Sequence, residues 1–268
     1  SETHWKFRWP LVETTADPIN QFIKVITFPD GEGSTLLSFN FNLGNPTGRQ
    51  VASNFSYFDL QSSPKQNTYF GIAVSSPYGR VLSQFDIYNP TKYQALSTLP
   101  YMWFVNASTF DRQACRYYGL LNNFPGFPNS TTAQKLAIGN FVDAPASGNV
   151  VYSDIFTIDP VPASAIIRFI AWSAPDQRLY GVAQLDATTA AIVEIDPAYS
   201  IYVVRHRLPN SVAQPLFASA TTSTVRLFVE NTLKGTRDLV VVDTKLWAST
   251  VVRSFSDNLI VAAVASLE

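Results

Sequence analysis

Reactive side chains are scarce in this chain, and the scarcity narrows the chemistry it can do. Two histidines, His4 and His206, and a single cysteine, Cys115, are its whole supply of imidazole and thiol groups. A Ser–His–Asp triad needs an imidazole held beside a nucleophile. His4 stands in the N-terminal segment and His206 in an expected outer strand over 203–208, and neither has that setting. Three such groups are also too few for a zinc or copper site built on histidine and cysteine. No P-loop, no Gly-x-Gly-x-x-Gly after a strand and no His-Glu-x-x-His motif occurs. The sequence therefore names no catalytic residue, no metal ligand and no cofactor, and the balance tips against an enzyme.

Carboxylates are the remaining chemistry. Asp30 and Glu32 lie in Pro29-Asp30-Gly31-Glu32-Gly33. A calcium loop needs more oxygen ligands at alternating spacing, whereas Asp-Gly between two strands makes a hairpin turn. Asp86, Asp196 and Asp243 each close a similar apolar run, where an aspartate bonds nearby backbone amides, and they read as turn residues. A paired-carboxylate glycosidase stays open, since its two acids need only meet in space. Cys115 falls in an expected strand over 113–121 and reads as a buried, inert thiol.

Other residues point to the surface. Acceptor sequons for N-glycosylation occur at Asn54, Asn106 and Asn129. Asn129 in the polar insertion 122–130 and Asn54 between expected strands are better placed to carry a glycan than Asn106. Near the start, Trp5, Phe7 and Trp9 alternate with Lys6 and Arg8, giving a short strand with one aromatic face. An arm of this kind over 1–20 either folds back on its own domain or is donated to a neighbouring subunit. Head-to-tail donation builds open filaments. The chain starts at Ser1 without a charged-then-apolar leader, which fits a secreted chain whose signal has been removed and a trimmed chain equally.

The totals bound the partners. Formal net charge is −1 and the pI about 6.1, with no basic cluster denser than Arg205 and Arg207 around His206. Without a basic stripe to neutralise phosphates, nucleic acid is set aside. The longest apolar runs, such as 259–264, fall far short of a membrane span. With 268 residues, 46% of them hydrophobic and 15% charged, the chain can bury a core without disulfides.

Stepping from single residues to the elements that carry them, apolar runs separated by Gly, Pro, Asn, Asp and Ser give an all-β pattern of strands and turns. The runs repeat. Leu179-Tyr180-Gly181, then 192–197 ending in Asp196-Pro197, then 201–204 is one unit. Tyr69-Phe70-Gly71 with 81–86 and 93–96 is a second, and Leu227-Phe228-Val229 with 239–243 and 249–252 a third. A further apolar run precedes each unit, at 55–60, 166–172 and 215–220. A fourth, divergent unit takes 101–105, Tyr117-Tyr118-Gly119, 135–138 and 150–158. Four strands per unit is the arithmetic of a propeller blade. The N-terminal region offers three strands, at 22–28, 34–41 and 48–52, and the C-terminus one, at 258–267.

The expected fold is thus a five-bladed β-propeller over 21–268, its last blade closed by the C-terminal strand, behind an N-terminal arm over 1–20. Ala171, Ala218, Ala220, Ala262, Ala263 and Ala265 fall in expected inner strands, where a small ring is most crowded. A six-bladed propeller, or a jelly-roll or double β-sandwich, is the alternative. The pattern aromatic-Gly, loop, apolar run, Asp-Pro, clearest over 179–197, resembles the repeats of extracellular YVTN and SMP-30/NHL-like β-propellers. The resemblance implies blades only: the acidic metal-binding set of the SMP-30-like enzymes has no counterpart here.

These readings converge on a non-catalytic interaction or structural module, extracellular or at the cell surface, self-assembling through its arm. Its partners would be protein, including copies of itself as a homo-oligomer or fibre, or glycan. A carbohydrate-binding propeller is one alternative, although Trp103 and Trp172 fall in equivalent inner strands and read as core. A metal-dependent hydrolase or lactonase working at a channel mouth is another, and a viral capsid jelly-roll the third.

Overall fold

The computed structural model describes the backbone of residues 11–17, 22–27, 34–40, 46–52, 56–62, 68–75, 79–86, 89–98, 103–123, 133–140, 150–208, 212–221, 223–231 and 234–256. Side chains are described over 107–122, 133–140, 150–208, 220, 223–231 and 234–256. Every regular element among these residues is a β-strand, and the chain falls into two compact units.

The first unit holds two four-stranded antiparallel sheets. One is β1 (Leu11–Asp17), β2 (Phe22–Thr27), β3 (Ser34–Asn40) and β4 (Pro46–Ala52). The other is β5 (Ser56–Ser62), β6 (Thr68–Ser75), β7 (Gly79–Asp86) and β8 (Asn89–Thr98). In both, strands lie side by side in chain order, as short hairpin connections require. The first sheet corrects the sequence reading. Leu11–Asp17, expected in an arm outside any blade, pairs with β2 from Asp17↔Phe22 to Leu11↔Thr27. With Val12, Thr14 and Thr15 the segment carries its own β-branched residues. The place beside β2 that the C-terminal strand was expected to fill is therefore taken by β1. Residues 258–267, with Ala262, Ala263 and Ala265, lie outside the described residues.

The second unit contains three further groups of four strands, two of which join into one eight-stranded sheet. They are β9 (Trp103–Asp111), β10 (Arg116–Asn123), β11 (Gln134–Asn140) and β12 (Val150–Thr157); β13 (Ile166–Ser173), β14 (Arg178–Gln184), β15 (Ala190–Asp196) and β16 (Ile201–Arg207); and β17 (Val212–Thr221), β18 (Thr224–Asn231), β19 (Thr236–Asp243) and β20 (Ala248–Ser256). Each is an antiparallel meander. The first two meet edge to edge through a short parallel pairing of β12 with β16, Phe156↔Ile201 and Thr157↔Tyr202. Strand order inside every sheet follows the chain, where a jelly-roll would cross between sheets.

Alternation along β13–β16 sends side chains to two separate cores. Leu179, Ala183, Val193 and Ile195 pack towards Tyr118, Leu120 and Leu136 of the preceding sheet. Tyr180, Val182 and Ile192 pack towards Val225, Leu227, Val229 and Val240 of the following one. A sheet covered on both faces needs apolar residues at successive positions, and β14 is buried throughout from Leu179 to Ala183. Gly181 marks the tightest point: a Cβ there would stand 2.9 Å from Val193 Cγ2 and 3.1 Å from Ile167 Cγ2. The glycine of the aromatic-Gly pattern thus admits the flanking strands' branched side chains. By the fourth strand burial has fallen away, and β20 is exposed at most positions.

A polar clamp joins β9–β12 to β13–β16. Buried Gln134 accepts from Ile167 N at 2.7 Å, and its Nε2 donates to Ile167 O at 2.8 Å and to Asn122 Oδ1 at 2.6 Å. One amide thereby satisfies both backbone groups of Ile167 across two sheets, in the low-polarity setting where such bonds count most. Above it, Thr109 Oγ1 accepts from Trp172 N at 3.0 Å.

Of the repeated aspartates, Asp196 and Asp243 behave as their repetition suggests, and the Asp86 side chain lies outside those described. Asp243 Oδ1 accepts from Lys245 N and Leu246 N, both at 2.8 Å, and Asp196 Oδ1 from Ala198 N at 2.9 Å. Asp111, not singled out by the repeat search, does the same for Gln113 N and Ala114 N. These amides hold the Asp243 carboxyl below its ordinary range. Each turn ends on a residue with positive φ, Cys115 at 48°, Ser200 at 54° and Trp247 at 52°. Cys115 is therefore a half-buried turn residue and not part of a strand: β10 begins one residue later. Its Sγ stands 3.8 Å from Arg112 O.

Candidate functional site

Within the second unit the same tyrosine recurs in two sheets and meets two different surroundings. Tyr118 and Tyr180 each lie two residues into the second strand and immediately before a glycine, Gly119 and Gly181. Tyr118 pairs with Thr109 and Ile138, Tyr180 with Ala171 and Glu194. Both rings face the next sheet in the chain, where they approach the end of its first strand and the turn between its third and fourth strands.

At Tyr180 that place is filled. Trp247, from the turn between β19 and β20, sets its indole edge-on to the phenol with ring centres 6.3 Å apart at 74°. Thr244, buried in the same turn, brings its side-chain hydroxyl near enough to the Tyr180 phenol to lower its pKa. Thr244 N also donates to Ser223 O at 2.9 Å, which ties this turn to the one between β17 and β18. Burial pushes the Tyr180 phenol above its ordinary range, and the Thr244 hydroxyl offsets part of that.

At Tyr118 the corresponding turn runs Asp196-Pro197-Ala198-Tyr199-Ser200, with Pro197 where Thr244 stands and Ser200 where Trp247 stands. Proline has neither hydroxyl nor backbone N–H, so both contacts of Thr244 are lost. Serine supplies no ring; Ser200 is buried and its hydroxyl is bonded to Ser153 Oγ of β12. An indole reaches Tyr118 from elsewhere: Trp172 near the end of β13 stacks on it at 5.4 Å and 26°. Register puts Ala220, paired with Val225, where Trp172 pairs with Leu179. The aromatic partner has moved from turn to strand, and two polar atoms are left over. Neither the Tyr118 hydroxyl nor Trp172 Nε1 makes a hydrogen bond of ordinary geometry, although both atoms are buried and Tyr118 is 0% exposed; the Arg116 guanidinium comes near enough to the phenol to act on its pKa. Unpaired buried groups of this kind each cost about 1–3 kcal/mol. Burial also pushes the Tyr118 phenol up, partly offset by the nearby Arg116 guanidinium.

The space so created is a groove of about 630 Å³, within the size range of small-ligand sites. Tyr118, Trp172 and Pro197 line it, with Asp176 and Gln177 from the β13–β14 turn and Arg116, Arg178, Glu194, Asp196 and Arg205 around it. Its charges are mutually engaged. Glu194 takes Arg178 and, at 2.8 Å, Arg205 Nε. Arg116 Nε donates to Asn140 Oδ1 at 2.9 Å, and Asp176 Oδ2 accepts from Ser223 N at 3.1 Å. Three guanidiniums face three carboxylates, so the rim offers directional polar groups without a dominant field.

The residues singled out from the sequence are not brought together here. Trp5, Phe7, Trp9, Asn54, Asn129, His4, Asp30 and Glu32 lie outside the described residues. Asn106 sits in β9 at a break in register opposite Leu120 and Leu121. His206, in the outer strand β16 as expected, pairs with Ile192; its Nε2 is buried without a partner, and burial holds its pKa below the ordinary value. Trp103 and Trp172 lie in equivalent strands, β9 and β13, but at different positions: Trp103 pairs with Asn123, and Phe110, opposite Tyr117, stands in Trp172's place. Trp172 is half-buried at the groove and not simply core. Among the described residues no three His, Cys, Asp or Glu side chains cluster as metal ligands would, and no helix is long and apolar enough to cross a membrane.

No protein-family model and no curated protein matches the chain. Solved structures do. The nidogen/laminin complex is similar over 92% of this chain and 80% of that one, with a TM-score of 0.60 and 11% identity. SapL1 lectin, solved with alpha methyl fucoside, covers 94% of this chain and 82% of its own, with a TM-score of 0.58 and 8% identity. An oligogalacturonate lyase with manganese covers 90% and 76%, at a TM-score of 0.53 and 12% identity. These neighbours are β-propellers, and the architecture of this chain is that of a β-propeller.

Proposed function

We propose that this chain is a five-bladed β-propeller that acts as a non-catalytic, extracellular binding module, with the groove over Tyr118 as its recognition site. Five groups of four consecutive strands, two of them joined in an eight-stranded sheet, support the blade count, each group serving as one blade. The single observation that carries the function is the pair of unpaired polar atoms, Tyr118 Oη and Trp172 Nε1, at an open groove in an otherwise well-satisfied interface. Buried groups left without partners are the groups a ligand can reward. The extracellular part of the reading rests on the sequons at Asn54, Asn106 and Asn129.

A glycan and peptide array tests it. Binding that disappears in Arg116→Glu and Arg205→Glu but survives Arg253→Glu on the exposed β20 is the expected result. Hits indifferent to the groove substitutions would overturn it.

Assembly through the aromatic arm is a separate part of the proposal and rests on Trp5, Phe7 and Trp9. Since β1 starts at Leu11, the deletion that tests it is residues 1–10, which spares the sheet. Loss of oligomers in sedimentation with an unchanged melting temperature supports donation, and an unchanged assembly state refutes it.

A further inference from the structure

The two tyrosine sites differ by what one turn supplies, and that difference specifies a ligand. At Tyr180 the chain itself provides an indole from Trp247 and a hydroxyl from Thr244. At Tyr118 the same turn, with the same backbone bend at Ser200 and Trp247, gives Pro197 to the wall of a groove and Ser200 to a bond with Ser153. The turn that closes the first site leaves the second open beside an indole that comes from β13 instead.

We propose that the groove over Tyr118 binds a planar aromatic ring bearing a hydrogen-bonding group. The ligand takes the place that Trp247 and Thr244 occupy at Tyr180. The inference rests on the groove being the recognition site and adds the class of ligand. Three observations carry it. The Tyr118 hydroxyl is fully buried with no partner and can either donate or accept. Trp172, half-buried and already stacked on Tyr118, offers an aromatic surface for an offset or edge-on ring. Around them, Pro197 supplies an apolar wall and Gln177 an amide, in the turn where Ser223 receives the Thr244 bond at the sister interface. The rim arginines are already held by Glu194 and Asn140, so the groove does not ask its ligand to carry charge.

The ring can come from a free small molecule or from a peptide, and two probes separate these sources. One is capped tryptophan amide. The other is the capped tetrapeptide Thr-Lys-Leu-Trp, which offers in trans the residues 244–247 of this chain's own turn. Binding is followed on the full chain by saturation-transfer NMR and by titration. In the double variant Pro197→Thr, Ser200→Trp the chain fills its own groove. Its melting temperature should rise, and transfer to the indole protons should fall at least about five-fold, because the site is occupied from within. Tyr118→Phe, which keeps the ring and removes the hydroxyl, should weaken either probe about three- to ten-fold, the worth of one hydrogen bond. A tetrapeptide that binds more tightly than tryptophan amide identifies a peptide source, and equal affinity a small ligand.

Two results overturn the proposal: no binding of either probe to the native chain, or binding that persists undiminished in both the filled variant and Tyr118→Phe. If methyl glycosides bind instead and lose affinity in the filled variant, the groove remains the recognition site and only the aromatic class fails.

Discussion

The two flanks of the sheet β13–β16 are built on one repeat and closed in opposite ways. Towards β17–β20 the interface is sealed: Tyr180 meets Trp247, its hydroxyl meets Thr244, and the two turns are joined by Thr244 N and Ser223 O. Towards β9–β12 the seal is placed deeper, at Gln134, and the outer part is left open over Tyr118. The contrast teaches that a blade interface can hold with its stabilising contacts at one level and leave the other level free to recognise something. Stability and recognition are separated along the length of the same strands.

That separation is most easily broken at Gln134. Gln134→Ala strands Ile167 N, Ile167 O and Asn122 without partners in a buried interface. Denaturant unfolding should show a loss of about 3–5 kcal/mol, from several unpaired groups at once. A loss below about 1 kcal/mol would mean that the clamp does not hold this flank. Trp247→Ala is the counterpart on the sealed flank. Removing an indole packed against the core opens the equivalent of the Tyr118 groove, at a cost of about 2–3 kcal/mol because the side chain is only partly buried. The same variant should acquire affinity for tryptophan amide at Tyr180, and failure to do so would show that the two sites are not interchangeable.

How much of this was legible in the sequence depends on the scale. Strand positions were readable, because Tyr180-Gly181 and 192–196 repeat the pattern of Tyr118-Gly119 and 135–138. The aspartates were readable as turn residues for the same reason. Register was harder. The sequence aligns Phe228-Val229 with Tyr180-Gly181, but the pairing Leu227↔Val240 matches Gly181↔Val193 and places Leu227 at the glycine. A two-residue slip keeps every side chain on its own face, so hydrophobic alternation cannot detect it. β1 escaped because its residues, Leu-Val-Glu-Thr-Thr-Ala-Asp, share strand propensity with the other first strands but lack the apolar runs that mark those at 55–60, 166–172 and 215–220. The groove was the least legible feature. It arises from Pro197 and Ser200 being small or rigid where another copy has Thr244 and Trp247. Such an absence shows only once register has fixed which residues correspond.

A finer test compares the two hydroxyls directly. Tyr180→Phe removes a group that Thr244 satisfies and leaves Thr244 buried, so it should cost about 1 kcal/mol. Tyr118→Phe removes a group that nothing satisfies and should be neutral or stabilising by up to about 1 kcal/mol. Opposite signs for one chemical change at equivalent positions are what unequal closure requires. Equal losses would mean that the Tyr118 hydroxyl is also bound and that its flank is sealed.

The smallest effect concerns a third buried atom without a partner, His206 Nε2, which unlike the other two can take up a proton. Burial holds its folded-state pKa below the ordinary 6.5, so the folded chain keeps it neutral where the unfolded chain would protonate it. The unfolded state then binds more protons, and stability falls as pH drops below about 6.5 until the folded-state pKa is reached. Asp238 adds a second loss at lower pH. Burial alone would raise its pKa, but hydrogen bonds from Asn231, Ser254 and Thr236 outweigh that and hold it low, so its contribution is present at neutral pH and disappears as the carboxyl protonates. Thermal melts of the native chain and of His206→Gln between pH 7.5 and pH 3 separate the two groups, because the histidine's loss begins near 6.5 and the carboxylate's only as pH approaches 3.8. The variant should lose the upper part of the slope and keep the lower. Identical slopes would mean that His206 is solvated or paired in the folded chain, and that its nitrogen, unlike those at the groove, is not waiting for a partner.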